Sequence, residues 1–352
     1  MHAPHTVVVV GGGVSGLAAA RFLASRTLAR TLLLEAGPWL GGKVRTEWLA
    51  GLPLEAGPDG FLAEPATVAL CEELGLHPCL EWSVTSRAWF WEDGGLRLLQ
   101  PEDTRGGEQV PPRLLTVRGG LERLVKALAA GLDGVEVRRR TTVTSVECRN
   151  GRLVALLATG DAIPADRVVL AVPAPAAAEL LAGLRPGSAA ALRRIRYRDL
   201  AVVNLIYPGR PWPLAGSGFL AAERPGRLIS GCTWLSAKWP HLAAGDVTAI
   251  RVTAGGRGAA DWRSMSDSTL VAAVNRELHQ VLGPGPDPSD ARVTRWTGAV
   301  ADPRTLDRGL VRRAQEDARE AGVLLAAGGY LGGGLASCIA DARLVAEQAV
   351  TR

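Results

Sequence analysis

Val7-Val8-Val9-Val10-Gly11-Gly12-Gly13-Val14-Ser15-Gly16 is the stretch that decides the fold of this chain. Four consecutive valines make a buried parallel strand, because β-branched side chains fit a pleated surface that is covered on both faces. Gly11, Gly13 and Gly16 then stand at the spacing of a strand-to-helix turn. The first permits the tight turn, the second lets backbone approach a pyrophosphate, and the third lets the helix pack on the strand. The N–H groups at the start of that helix, at Val14, Ser15 and Gly16, have no intrahelical partner and point at the positive end of the helix dipole, which favours an anion.

Working outward, Leu17 to Leu23 continue as an apolar helix face and Thr31 to Leu34 read as a second strand. Glu35 ends that strand, followed by Ala36, about 20 residues beyond the motif, where a carboxylate binds ribose hydroxyls. The same carboxylate repels a 2′-phosphate, which argues against NADP. Gly41, Gly42, Lys43, Val44, Arg45 and Thr46 come next. They read as a second anion-facing turn, with glycines for backbone approach and Lys43 or Arg45 for positive charge; a solvated basic loop is the alternative.

Composition bounds the rest. At 352 residues the chain is long enough for two domains, and 47% hydrophobic with 21% charged residues is ordinary for a globular protein. Cys71, Cys79, Cys148, Cys232 and Cys338 are scattered, odd in number and without metal spacing, so reduced thiols in a cytoplasmic protein are expected and no metal site is. The net charge of +5 is almost all arginine spread along the chain, with Lys43, Lys126 and Lys238 the only lysines. That distribution does not suggest a nucleic-acid partner. The apolar segment Val168 to Leu184 is broken by Pro173, Pro175 and Glu179 and is too short to span a bilayer.

The pattern predicts a discontinuous first domain. Pro65 to Leu74 read as a helix ended by Gly75, Trp89 to Leu99 as strands around Asp93-Gly94-Gly95, and Pro101 to Pro112 as a polar connection. Leu121 to Leu128 have helical spacing, Val135 to Val146 alternate like strands, and Val168 to Val172 make another buried strand. Leu200 to Tyr207, Leu228 to Thr233 and Thr248 to Thr253 suggest a separate sheet, and Ser268 is the expected cap of a helix ended by Gly283. Val323 to Ala327, the turn Gly328 to Gly334 and a helix from Leu335 to Val350 return to the first pattern. A helix starting behind such a turn can set its dipole against a bound group that carries negative charge.

Four stretches together resemble the FAD-dependent porphyrinogen oxidases of heme biosynthesis, within the flavin monoamine oxidase superfamily. The Gly41 to Thr46 element resembles the superfamily's second fingerprint, which points to FAD. Leu54 to Leu62 look like that family's ExGPDSFL segment, Cys232-Thr233-Trp234 with Lys238-Trp239-Pro240-His241 like its CTW…KWPH stretch, and Gly332, Gly334, Leu335 and Cys338 like its GxGIPDCI motif. The resemblance implies an α/β fold: a Rossmann-like FAD-binding domain of the second glutathione-reductase type, from residues 1–63, 114–175 and 318–352. Residues 64–113 and 176–317 would form an α+β substrate domain. FAD would be held by Gly11, Gly13, Val14, Ser15, Gly16, Glu35, Ala36, Gly41, Gly42, Lys43 and Arg45. Val143 would meet the adenine, and Gly57, Pro58, Gly328, Gly332, Gly334 and Leu335 would lie near the isoalloxazine.

Three departures accompany the resemblance. Only Pro101 to Pro112 stand where the family carries a long helical insertion that forms a membrane-facing lid, Ala336 and Ser337 replace a Pro and an Asp, and Thr297 to Asp307 lack the PQYxxGH pattern. The implied chemistry is oxidation of protoporphyrinogen or coproporphyrinogen by FAD with molecular oxygen as acceptor. Membrane association should then be weak or nil. No residue stands out as catalytic. A flavin-binding relative that acts as carrier or partner, and an oxidase for another substrate such as an amine, remain open, as does the oligomeric state.

Overall fold

The structure, a computed structural model, describes residues 5–26, 29–92, 95–100, 103, 113–243, 245–256, 258–259, 261–331 and 333–351. The valine run forms the strand Thr6–Val10 at the centre of a five-stranded, wholly parallel sheet, and all five of its residues are buried. The strand order is Val135–Arg138, Arg30–Leu34, Thr6–Val10, Arg167–Leu170, Val323–Leu325. Helix Val14–Arg26 covers one face of the sheet together with Glu122–Ala130 and Leu335–Val350, sharing a core of Leu17, Leu23, Leu124, Leu128, Ile339 and Val345. The expected α/β, Rossmann-like fold is therefore present.

On the other face lies an antiparallel meander, Val143–Arg149, Arg152–Leu157 and Ala162–Ala165. The helices Ala174–Leu181, Pro186–Arg193 and Arg308–Glu320 pack into the same core, through Leu181, Leu192, Val311 and Ala318. These three helices thus pack against the parallel sheet, although most of their residues fall in the stretch expected for the second domain. Helix Pro65–Glu73 does likewise, through Leu70 and Cys71.

The second sheet has seven strands in the order Asp290–Ala301, Tyr197–Pro208, Val247–Ala254, Ile229–Trp234, Gly218–Ala221, Trp89–Glu92, Gly95–Leu98. Side chains alternate along it, so the two faces have different jobs. Ala201, Val203 and Leu205 pack against Leu270, Val274 and Leu278 of helix Asp267–Leu282. On the opposite face Ile206 and Ala249 meet Leu49 and Leu54 of the hairpin Thr46–Leu49/Leu52–Glu55, so this hairpin joins the two halves.

One local expectation is corrected. The helix cap is Ser266, whose hydroxyl accepts from the Thr269 N–H at 3.1 Å; Ser268 lies inside the helix, because the capping oxygen must reach the N–H three residues on. The strands expected within Val135 to Val146 are present as Val135–Arg138 and the start of Val143–Arg149. Arg140 has φ +53° and turns the chain between a parallel strand of the first sheet and the meander.

Candidate flavin site

The site begins where the parallel strands end. A Cβ on Gly16 would stand 1.8 Å from the Gly11 carbonyl oxygen, so only glycine lets the helix start this close to the strand. Gly13 differs: the nearest atom to a Cβ there is the Gly42 Cα at 4.0 Å, so its missing side chain leaves open space above the helix start. That is the cradle a pyrophosphate requires. Helix Val14–Arg26 has no acidic residue in its first turn to compete for those N–H groups.

Glu35 stands beside this turn. Its carboxylate accepts from the Gly12 N–H and from the Gly37 N–H, both at 2.6 Å, so it fixes the glycine loop and keeps further lone pairs on both oxygens that could accept from ribose hydroxyls. The exposed Ala36 lies on the same loop. The loop is held in turn by Arg140 and Thr141, whose N–H groups donate to Gly37 and Glu35, which places Val143 just beyond with its side chain in the core. Gly41 donates to the Gly12 carbonyl at 2.8 Å, bringing the second glycine turn against the first.

Lys43 and Arg45 part company. Lys43 is half-buried and reaches across to the second sheet, where its ammonium donates to the Gly298 carbonyl at 2.8 Å. Burial lowers its pKa, with the Cys338 thiol opposing. The Arg45 side chain is exposed and pairs with Glu47 at 2.8 Å, while its carbonyl accepts from the Ala56 N–H at 2.9 Å. The C-terminal turn joins that group: Cys338 in helix Leu335–Val350 bonds with Ser15, and burial pushes its thiol upward. Gly328 lies against Ser337 and donates to Asp341 at 3.0 Å. Gly334 precedes the helix without a side-chain cap and Leu335 is buried behind it. Gly332 lies outside the described residues.

The segment Glu55 to Asp59 closes the group, and here the sequence analysis missed most of the machinery. A Cβ on Gly57 would meet the Lys43 carbonyl oxygen at 1.8 Å, so the segment runs hard against the second glycine turn. Three consecutive carbonyls of it are bound by side chains from three strands of the second sheet. Asn204 donates to Glu55 at 3.1 Å, Trp296 to Ala56 at 2.6 Å and Arg251 to Gly57. Asp59 then accepts from Lys238 at 2.7 Å and from Trp239 at 3.1 Å. Burial works to raise the Asp59 carboxyl, but the Lys238 ammonium and Arg251 guanidinium outweigh it and hold it at about 2. Glu55 is the reverse case. Its burial outweighs the Leu121 N–H and Thr46 hydroxyl that bond it and pushes its carboxyl up to about 8. The signal for Asn204 and Arg251 was present, since the first interrupts the apolar run from Leu200 to Ile206 and the second is the one charged residue of the strand Val247–Ala254.

A cleft of about 690 Å³ lined by His5, Arg152, Asp166 and Arg167 lies at the opposite, N-terminal ends of the parallel strands. Open parallel sheets bind at their carboxyl ends, so it is not the nucleotide site.

Comparison with known proteins agrees with this geometry. The chain is 29% identical to coproporphyrinogen III oxidase of Mycobacterium tuberculosis over 437 aligned positions covering 96% of each protein, and 23% identical to coproporphyrinogen III oxidase of Bacillus subtilis, covering 98% of each. Among solved structures it resembles a protoporphyrinogen oxidase, so assigned from Exiguobacterium, with a TM-score of 0.84, 24% identity and 98% of both chains covered. It also resembles cyclohexylamine oxidase of Brevibacterium oxydans, with a TM-score of 0.74, 17% identity and 98% and 99% covered. At that identity the structural likeness speaks for the fold. The model of the flavin containing amine oxidoreductases matches residues 14–111 and 96–350, and the chain belongs to that family.

Proposed function

We propose that this FAD-dependent oxidoreductase oxidises a porphyrinogen, coproporphyrinogen III or protoporphyrinogen IX, to the porphyrin with molecular oxygen as acceptor. The carrying observation is the joint between the two halves: the segment that resembles the ExGPDSFL stretch of the porphyrinogen oxidases is bound by Asn204, Trp296 and Arg251 from the second sheet and by Lys238 from the short helix Leu235–Lys238. Full-length similarity to coproporphyrinogen III oxidases supports the substrate class. FAD would lie with its pyrophosphate over Gly13 and the start of helix Val14–Arg26, its ribose at Glu35, and its ring against Gly57, Pro58 and the turn before Leu335. The bound FAD supplies hydride acceptance; the chain positions substrate and excludes competing reactions.

The substrate side is pared down relative to the similar enzymes. The alignment with the mycobacterial enzyme runs over 437 positions against 352 residues here, so that enzyme has many positions without a counterpart in this chain. The family match divides between 96 and 111, around the short connection. We read this as loss of the helical lid, which leaves the substrate loosely ordered and turnover below that of a lidded relative. None of the described helices is long and apolar enough to cross a membrane.

The deciding experiment mixes the purified, FAD-loaded protein anaerobically with each porphyrinogen in turn and follows flavin absorbance. Bleaching by a porphyrinogen, then recovery on admitting air with one peroxide per pair of electrons, is the expected result. Bleaching by amines alone would move the protein to the amine oxidases, and recovery only with a quinone would remove oxygen as acceptor.

A further inference from the structure

Asn204, Arg251 and Thr233 are direct cross-strand partners, so Asn204 and Arg251 stand side by side on the face of the second sheet that meets the Glu55 to Asp59 segment. Their surroundings have an unusual charge balance. Asp59 is matched by Lys238 at 2.7 Å, with side chains 14% and 8% exposed. Arg251 makes no ion pair among the described residues; its terminal nitrogen donates to the Gly57 carbonyl, and its Nε is buried without a partner. Glu55, the other carboxyl facing it, bonds to the Thr46 hydroxyl and Leu121 N–H, and burial keeps it protonated at neutral pH. The cluster therefore retains one positive charge in a poorly solvated place.

We propose that Arg251 is a positioning residue for the flavin: it fixes the Gly57 carbonyl and holds an uncompensated positive charge beside the ring edge that this segment lines, which raises the flavin's reduction potential. The proposal rests on the reading above that Gly57 and Pro58 lie against the isoalloxazine. A fixed cation near the ring favours the reduced flavin, which takes up electrons and negative charge, and low local dielectric strengthens the effect. Trp296 serves as the internal comparison. It tethers the neighbouring Ala56 carbonyl through a neutral N–H.

The test uses full-length, FAD-loaded wild type, R251M, R251Q, R251K and W296F, with the reduction potential measured against reference dyes and kcat and KM measured with a porphyrinogen. R251M and R251Q should move the potential negative and lower kcat by roughly tenfold to a hundredfold, with KM within about twofold. R251K should restore most of the potential. W296F should leave it in place. R251Q retains a donor for Gly57, so it answers the question if R251M fails to fold. A wild-type potential in R251Q, or an equal shift in W296F, overturns the proposal. The underlying reading fails differently: wild type would take up no FAD, or would bind FAD that no porphyrinogen bleaches while the R251Q shift persists.

Discussion

The two halves of the molecule reach the flavin site by different means. The parallel half builds its share from backbone: glycine contacts at Gly16 and Gly57, loop N–H groups on Glu35, and a helix start left open above Gly13. The seven-stranded half contributes side chains, with Asn204, Trp296, Arg251 and Lys238 each reaching out of a different element. Backbone cradles bind a constant cofactor and tolerate little change. Side-chain bridges set what stands opposite it, and they can be altered one at a time.

The sharpest way to break this contrast is Gly16→Val, which forces a Cβ to within 1.8 Å of the Gly11 carbonyl oxygen. FAD retention should be abolished. Absorbance near the flavin band after purification, with circular dichroism to report folding, checks it; a yellow, normally folded variant would defeat the cradle reading. In wild type, acid precipitation should release the yellow colour to the supernatant.

Next in size is the buried pair across the joint. Asp59→Asn leaves the Lys238 ammonium buried without its partner and should cost about 3–5 kcal/mol in urea unfolding, whereas the double variant with Lys238→Met should recover part of that loss. A double variant that costs the sum of the Asp59→Asn and Lys238→Met single variants would show that the pair is not coupled.

Glu35→Ala should weaken FAD binding by about 1.5–3 kcal/mol, the contribution of hydrogen bonds to a charged group. The dissociation constant, measured by titrating apoprotein with FAD, reads this directly. Part of that loss reflects a loosened Gly12 and Gly37 loop, so Glu35→Gln should fall between the two.

The smallest effect sharpens the comparison through pH. Glu55 holds its proton up to about pH 8 in the folded chain, against an ordinary value of 4.5. A carboxyl raised in this way contributes stability that is full below pH 4.5 and is lost as pH rises through 8. Asp59, held at about 2, loses its contribution only in strong acid and is silent in this window. Glu55→Gln should therefore melt at a temperature less dependent on pH between 5 and 8, diverging from wild type by roughly a few degrees at the upper end. Parallel melting profiles would show that Glu55 does not titrate there.

How much of this was legible in the sequence follows the same division. Val7 to Gly16, Glu35 and the helix Leu335–Val350 could be read because their signals are local: a β-branched run, a glycine spacing, an apolar periodicity. The triple tether could not. Asn204, Arg251 and Trp296 lie far apart in the chain, and only strand register places them over consecutive carbonyls. Nor could the motif separate Lys43, which reaches across to the Gly298 carbonyl, from Arg45, whose exposed side chain pairs with Glu47. Ser266 was missed as the cap because three hydroxyl residues crowd one turn and spacing alone does not rank them.

The parallel sheet also has a bearing on how the protein is made. Its strand Arg167–Leu170 lies between Thr6–Val10 and Val323–Leu325, and the turn and helix proposed to face the flavin follow that last strand. During synthesis the proposed cofactor cradle would stay unfinished until the helix Leu335–Val350 has been made. The nascent chain must keep its valine strand and apolar helix faces from aggregating through that interval, because contacts this distant in sequence form late. On the proposed reading, FAD capture follows synthesis of the helix Leu335–Val350, and the supply of free FAD at that point should govern how much of the protein matures.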